Sequence, residues 1–208
     1  MQDKGTDVPC GTCKACCTSS YFIQITPQET ETLAHIPKEL LFPVPGLPKG
    51  HMLLGYDQQG RCPMLTEKGC SIYQYRPKTC RSYDCRIFAA AGISAGEEDK
   101  NRVTQQVRQW QFSYPAPEDR IQHAAVKKAA TFLQEHAKEF PFPIVPTKLA
   151  LMAIKVYDVF LDKTEADTAH SNSDKTTVQA VLDSYHQFES LSEETLPLDK
   201  KNRNLSKK

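Results

Sequence analysis

Eight cysteines fall in two groups: Cys10, Cys13, Cys16 and Cys17 in the run Cys-Gly-Thr-Cys-Lys-Ala-Cys-Cys, then Cys62, Cys70, Cys80 and Cys85. Grouped thiolates can chelate zinc, hold an iron–sulfur centre or exchange electrons as a redox pair. A Cys-x-x-Cys turn aims both sulfurs at one point. Extended to Cys10, Cys13 and Cys16, that spacing is the one by which three corners of an iron–sulfur cubane are held. Cys17 breaks the symmetry. Neighbouring side chains ordinarily point apart, so Cys16 and Cys17 are expected to serve separate centres or different irons of one cluster.

The second group is spaced by eight, ten and five residues, the intervals expected of ligands carried by a strand, a turn and a helix start. On one regular helix Cys80 and Cys85 would face about 140° apart. Either the helix begins after Cys80 or the two face different centres. Gathered thiolates repel one another, and hydrogen bonds and cations must offset them. Arg61, Lys68, Arg76, Lys78, Arg81 and Arg86 accompany this group against Glu67 and Asp84; any one of them taken alone is equally a solvated surface cation.

Disulfides would suit a secreted chain, but the opening residues carry no apolar export core, so the expected location is the cytoplasm, where thiols stay reduced. A thioredoxin-like pair at Cys10 and Cys13 would need a strand before it and a helix after it, and neither pattern is clear. With 39% hydrophobic and 25% charged residues and a net charge of +1 over 208 residues, composition predicts neither a nucleic-acid nor a membrane partner. There is no phosphate-binding glycine loop, no GxSxG elbow and no HExxH helix. The six histidines are expected in exposed or structural roles, because eight thiols already fill two four-ligand sites.

The elements that must position the cysteines read as follows. Residues 21–25, β-branched and aromatic, form a strand. Thr26, Pro27 and Glu29 give a helix start at 27, ending near His35 before Pro37. Residues 42–50 form a loop, and 51–56 with 61–65 form a hairpin about the turn at 57–60. Pro77 opens a helix over 77–91, which places Cys80 near an N-terminus that favours the thiolate. Helices follow at 97–110, 118–139, 147–161 and 174–189. In the last two, Leu149, Met152, Val156, Val159 and Phe160, and then Val178, Val181, Leu182, Tyr185 and Phe188, recur at helical spacing as core stripes. The fold class is α+β: a metal-binding region over 1–96, a helical region over 97–191 packing on it, and a flexible basic tail over 192–208.

Cys10-x-x-Cys13-x-x-Cys16-Cys17, then Cys62-Pro63-x-Leu65, then Gly69-Cys70-x-Ile72-Tyr73-x-x-Arg76-Pro77-x-x-Cys80-Arg81, resembles the YkgJ-like CxxCxxCC family of zinc- or iron-chelating proteins. The resemblance covers roughly residues 8–88. It implies a metal site on the cysteines, with Pro77 fixing the chain before Cys80 and Arg76 and Arg81 donating to sulfur or to an anionic partner. Tyr73 could cover the site, although packing in the core is the stronger expectation for it. A similar segment occurs in flagellin lysine methylases, which are longer; no S-adenosylmethionine loop is recognisable here.

The reading is a cytosolic metal-binding protein whose metal ligands are all eight cysteines. They form two four-cysteine sites or one larger centre, iron–sulfur being favoured over zinc because the second group contains no Cys-x-x-Cys pair. A redox or protein-partner role fits this. The alternatives are a protein-modifying enzyme related to the flagellin lysine methylases and a zinc-stabilised interaction module. The oligomeric state is left open.

Overall fold

The β-branched stretch after the first cysteine group forms a strand, β1 (Ile23–Ile25), with Ile25 fully buried. The computed structural model describes residues 12–161 and 174–194; Cys10, the connection at 162–173 and the tail from 195 lie outside the described residues. The fold is α+β, with strands in the cysteine-bearing part and helices in the C-terminal half. β2 (Leu41–Pro43) and β3 (Met52–Leu54) complete a three-stranded antiparallel sheet in the order β1-β3-β2. Ile23 and Leu41 both register against Leu54. Pro43 is tolerated because β2 is an edge strand.

The hairpin expected between 51–56 and 61–65 does not form. Asp57 closes the intervening turn on itself, its Oδ1 accepting from the amides of Gln59 at 3.0 Å and Arg61 at 2.8 Å. The chain beyond then turns to the first cysteine segment: Ser20 N–H donates to Gly60 O at 2.9 Å and Cys62 N–H to Cys17 O at 2.8 Å. Gly60 has a φ of +73°, and a Cβ there would run into the Ser20 side chain. A separate ribbon, β4 (Leu65–Thr66) with β5 (Gly69–Cys70), follows. Ile25, Ile36, Leu54, Met64 and Ile72 form the core beneath these elements, and Cys62 and Cys70 pack against it.

Helix α1 (Thr30–His35) starts later than 27 because Glu29 folds back, its Oε2 accepting from Thr26 N and Oγ1 at 2.8 and 3.0 Å. The expected helix over 77–91 is two helices, α2 (Lys78–Ser82) and α3 (Arg86–Ala91). Tyr83 is extended, and Asp84 restarts the chain by accepting from Arg86 N at 2.9 Å. A 3-10 turn, Glu98–Lys100, and α4 (Asn101–Val107) replace the single helix expected at 97–110.

The chain forms two compact units, one reaching Ala89 and resuming over Ser94–Gln111, the other comprising Ala90–Ile93 and the chain from Phe112. In the second, α5 (Pro117–Glu135) and α6 (Pro146–Lys155) both open on proline, the residue pre-set for a first helical position. α5 packs on α6 and on the 3-10 turn Tyr157–Phe160, and α6 packs on α7 (Asp174–Glu194). Leu149, Met152 and Val156, with Val178 and Val181, are buried as the stripes predict, joined by Ala125, Ala129, Ala130 and Leu133 of α5.

Candidate metal centre

The chain after Cys13 enters a 3-10 turn, Cys16–Thr18, held by Thr18 N–H on Ala15 O at 3.1 Å and by the buried Ser19, whose Oγ donates to the same oxygen at 2.8 Å. This turn overrides the expectation that Cys16 and Cys17 point apart: their sulfurs lie 4.0 Å from each other. Cys17 O receives the amide of Cys62, Cys62 O receives the amide of Leu65 at 2.9 Å, and Leu65 registers against Cys70. Three cysteines of different segments are thereby tied to one another through backbone bonds.

Cys80 arrives on α2, which two side chains dock. Glu29 Oε1 accepts from Lys78 N at 2.6 Å, so the carboxylate that closes the turn before α1 also caps the helix carrying Cys80. Thr79 Oγ1 donates to Gln24 O of β1 at 2.7 Å. Cys16, Cys17, Cys62 and Cys80, with Tyr21, Phe22 and Tyr83, then border one cavity of about 70 Å³.

Burial pushes Cys62 up to about 11, with Cys17 and Cys70 adding to it. Burial likewise pushes Cys80 up to about 12, reinforced by Cys62, Cys17 and Cys70. Cys70 is raised by burial and by Cys17. Every pair among Cys17, Cys62, Cys70 and Cys80 is thus within mutual electrostatic reach. Cys17 is the exception in direction: the hydrogen bond with Cys16 brings it down to about 7, against the effect of burial, with Arg76 and Lys14 assisting. The expectation that a helix start would favour the Cys80 thiolate is overturned, because a five-residue helix has little dipole and burial among other thiols dominates.

Cys85 has other neighbours. Burial raises it; the indole N–H of Trp110, donating to its sulfur at 3.2 Å, opposes this, and Cys13 and Asp84 raise it further. Cys85 and Cys16 both bear on Tyr21 and Tyr83, whose hydroxyls are hydrogen-bonded at 2.8 Å and whose rings lie 5.2 Å apart. Lys100 Nζ stands 4.6 Å over the Tyr21 ring and donates to Ser20 O at 3.1 Å. Of the six cations accompanying the second group, Arg76 acts on the thiols of Cys17, Cys70 and Cys80. Arg86 is engaged by Asp84 at 2.6 Å and lies 5.7 Å from the Trp110 ring centre, while Arg61, Lys68, Lys78 and Arg81 are exposed. Tyr73 is not in the core: it is 54% exposed, beneath the Arg76 guanidinium at 3.7 Å. His35 and His51 donate their Nδ1 protons to Glu31 O and Pro48 O.

All seven described cysteines are half-buried and free of disulfides. Among the described residues no three His, Cys, Asp or Glu side chains stand close enough to hold a metal ion as placed. The donor set nevertheless fits a soft metal in kind: free sulfurs, bordering one cavity, with cations and N–H donors beside them. Sequence reasoning placed seven of these cysteines and Arg76 in the candidate site. It missed Trp110, Lys14 and the Tyr21–Tyr83 pair, for which the only available signal was proximity in sequence to a cysteine, and for Trp110 not even that.

A model of the CxxCxxCC family, described as "Putative zinc- or iron-chelating domain", matches residues 9–112. The match takes in all eight cysteines and runs past the motif-bearing residues to include Trp110. No curated protein and no solved structure matches the chain. No helix among the described residues is long and apolar enough to cross a membrane.

Proposed function

The chain belongs to the CxxCxxCC family, and from that premise we propose that it is an iron–sulfur protein whose cysteine thiolates, drawn from both groups, hold the metal. The observation that carries this is the cavity of about 70 Å³ bordered by Cys16, Cys17, Cys62 and Cys80. This volume is several times the roughly 10–15 Å³ that admits a single water, more room than one ion between four sulfurs takes. A polynuclear centre fits such a space, and the two-residue gaps of Cys10, Cys13 and Cys16 support the same choice over zinc. Cys10, outside the described residues, enters on its spacing alone.

Bound iron–sulfur would supply one-electron chemistry. The chain's own residues give that centre its surroundings. Tyr21, Phe22 and Tyr83 line the cavity with rings, Arg76 and Lys14 offset thiolate charge, and Trp110 donates to the Cys85 sulfur. Free thiols in a half-buried setting fit a reducing compartment, the cytosol.

Anaerobic purification followed by iron, zinc and acid-labile sulfide analysis and electron paramagnetic resonance tests this. A brown protein carrying iron and sulfide, with a signal on reduction, is expected. A colourless protein with stoichiometric zinc and no sulfide would replace iron–sulfur with zinc as the metal held by the same thiols.

A further inference from the structure

The stripe that packs α5 into the helical unit changes character part-way along the helix. Val126, Ala129, Ala130 and Leu133 are buried at helical spacing. One turn earlier the same face carries Gln122 and His123, and one turn before that Asp119. A stripe that served packing alone would stay apolar. Here its polar part borders an open cavity of about 630 Å³, within the range of small-molecule sites. Every residue of the wall belongs to the second compact unit.

Val126 of α5 and Ile154 of α6 give the cavity an apolar floor. The segment before α5 and the 3-10 turn after α6 add aromatic walls, Phe112 and Tyr114 from the one and Tyr157 from the other. The Tyr114 hydroxyl and His123 Nδ1 share a hydrogen bond of 2.5 Å, and the Phe112 ring meets the His123 ring edge-on with centroids 4.9 Å apart. These contacts tie the segment's rings to α5 and hold the space open. Asp119 sets its sign: it is the one carboxylate in the wall, and no Lys or Arg joins it there. Asp119 Oδ2 accepts from Ala116 N at 2.9 Å, which pins the side chain and leaves Oδ1 to accept from a ligand. Arg120, next in sequence, directs its guanidinium to the Tyr114 ring, 4.4 Å from its centre.

We propose that this cavity binds an arylalkylammonium ligand, a small amine on a flat apolar body, with its ring among Phe112, Tyr157 and Val126 and its ammonium at Asp119. Aromatic faces and a carboxylate both attract a cation, and the carboxylate disfavours an acidic ligand of the same shape. The floor of Val126 and Ile154 calls for an uncharged body behind the ammonium. The site is independent of whether the thiols bind metal.

The test titrates the isotope-labelled full chain with 2-phenylethylammonium, 2-phenylethanol and phenylacetate, three probes of nearly one shape, and follows backbone amide shifts by nuclear magnetic resonance. Saturable shifts centred on Ser113, Asp119 and Tyr157 are expected with the ammonium, weaker ones with the alcohol and none with the acid. Asp119→Asn keeps an acceptor for Ala116 N and should weaken the ammonium at least tenfold while leaving the alcohol unchanged, a discrimination that a purely structural role would not produce. Phe112→Ala alters a residue 38% exposed outside the helices and should weaken ammonium and alcohol alike; it decides the matter should Asp119→Asn fail to fold. No saturable shift with any probe, or ammonium binding untouched by Phe112→Ala, would overturn the site. Equal or stronger binding of phenylacetate, or an Asp119→Asn variant that weakens ammonium and alcohol equally, would overturn the assignment of an ammonium ligand.

Discussion

The two units are stable for different reasons. The helical unit buries Ala125, Ala129, Ala130 and Leu133 of α5 against Leu149, Ala150, Met152, Ala153 and Val156 of α6 and its following turn, which is ordinary apolar packing between long helices. The cysteine unit is made of strands two or three residues long and helices of five to seven. Its clustered core is Ile25, Ile36, Leu54, Met64 and Ile72. Polar side chains tie these short pieces together: Glu29 to Thr26 and Lys78, Thr79 to Gln24, Asp57 to its own turn. One unit is held by what it excludes from water, and the other, with a smaller apolar core, by polar ties between short elements.

That contrast breaks most sharply under metal removal. A chelator added to the anaerobically loaded chain is expected to raise amide exchange across β1, β3 and α2 to near the unfolded rate while α5 and α6 keep their protection. Structural metal in small thiolate domains contributes on the order of 10 kcal/mol, more than the short elements can replace. Equal loss of protection in both units would erase the distinction.

The converse perturbation is Leu133→Ala. Leu133 is fully buried, and the cavity should cost the helical unit about 2–5 kcal/mol, read by denaturant melting, with metal per chain unchanged. A matching fall in metal content would show that the units do not separate energetically.

Glu29→Ala is a smaller change with a more telling location. It removes the acceptor for Thr26 and for the first amide of the helix carrying Cys80, at a cost of about 1–3 kcal/mol. It should speed metal loss to a competing chelator while every thiol remains. Unaltered metal retention would mean that α2 is positioned by the thiols alone.

Within the metal-free chain, the smallest effect separates thiols that border one cavity. Cys17, brought down to about 7 chiefly by its bond with Cys16, should reach its maximal alkylation rate just above neutral pH. Burial holds Cys62 near 11 and Cys80 near 12, so their rates should still be climbing at pH 9, because the thiolate is the nucleophile. Mass spectrometry of labelled peptides reads the order; identical pH profiles would count against the Cys16–Cys17 contact.

The same contrast governs what could be read from the sequence. Helices α5, α6 and α7 were legible because Leu149, Met152, Val156, Val178 and Val181 repeat at helical spacing and are buried accordingly. The cysteine unit was legible in its grouped thiols and in β1, but its pairing was not. Nothing in the alternation of 51–56 and 61–65 reveals that Asp57 caps its own turn and that Cys62 hydrogen-bonds to Cys17 rather than to the preceding strand. The break at Tyr83 was overlooked, since residues 78–91 hold no glycine or proline, although Ser82, Tyr83, Asp84 and Cys85 are weak helix formers and Asp84, acting on the Arg86 amide, marks the restart. Where periodicity decides structure the sequence speaks plainly; where single side chains redirect short segments, the chain must be seen folded.

The central claim is that sulfurs remote in sequence share bound metal, and X-ray absorption at the metal edge of the anaerobically purified chain tests it most directly. The account predicts an iron first shell of sulfur alone with a metal–metal distance beyond it. A shell of nitrogen or oxygen atoms would contradict it.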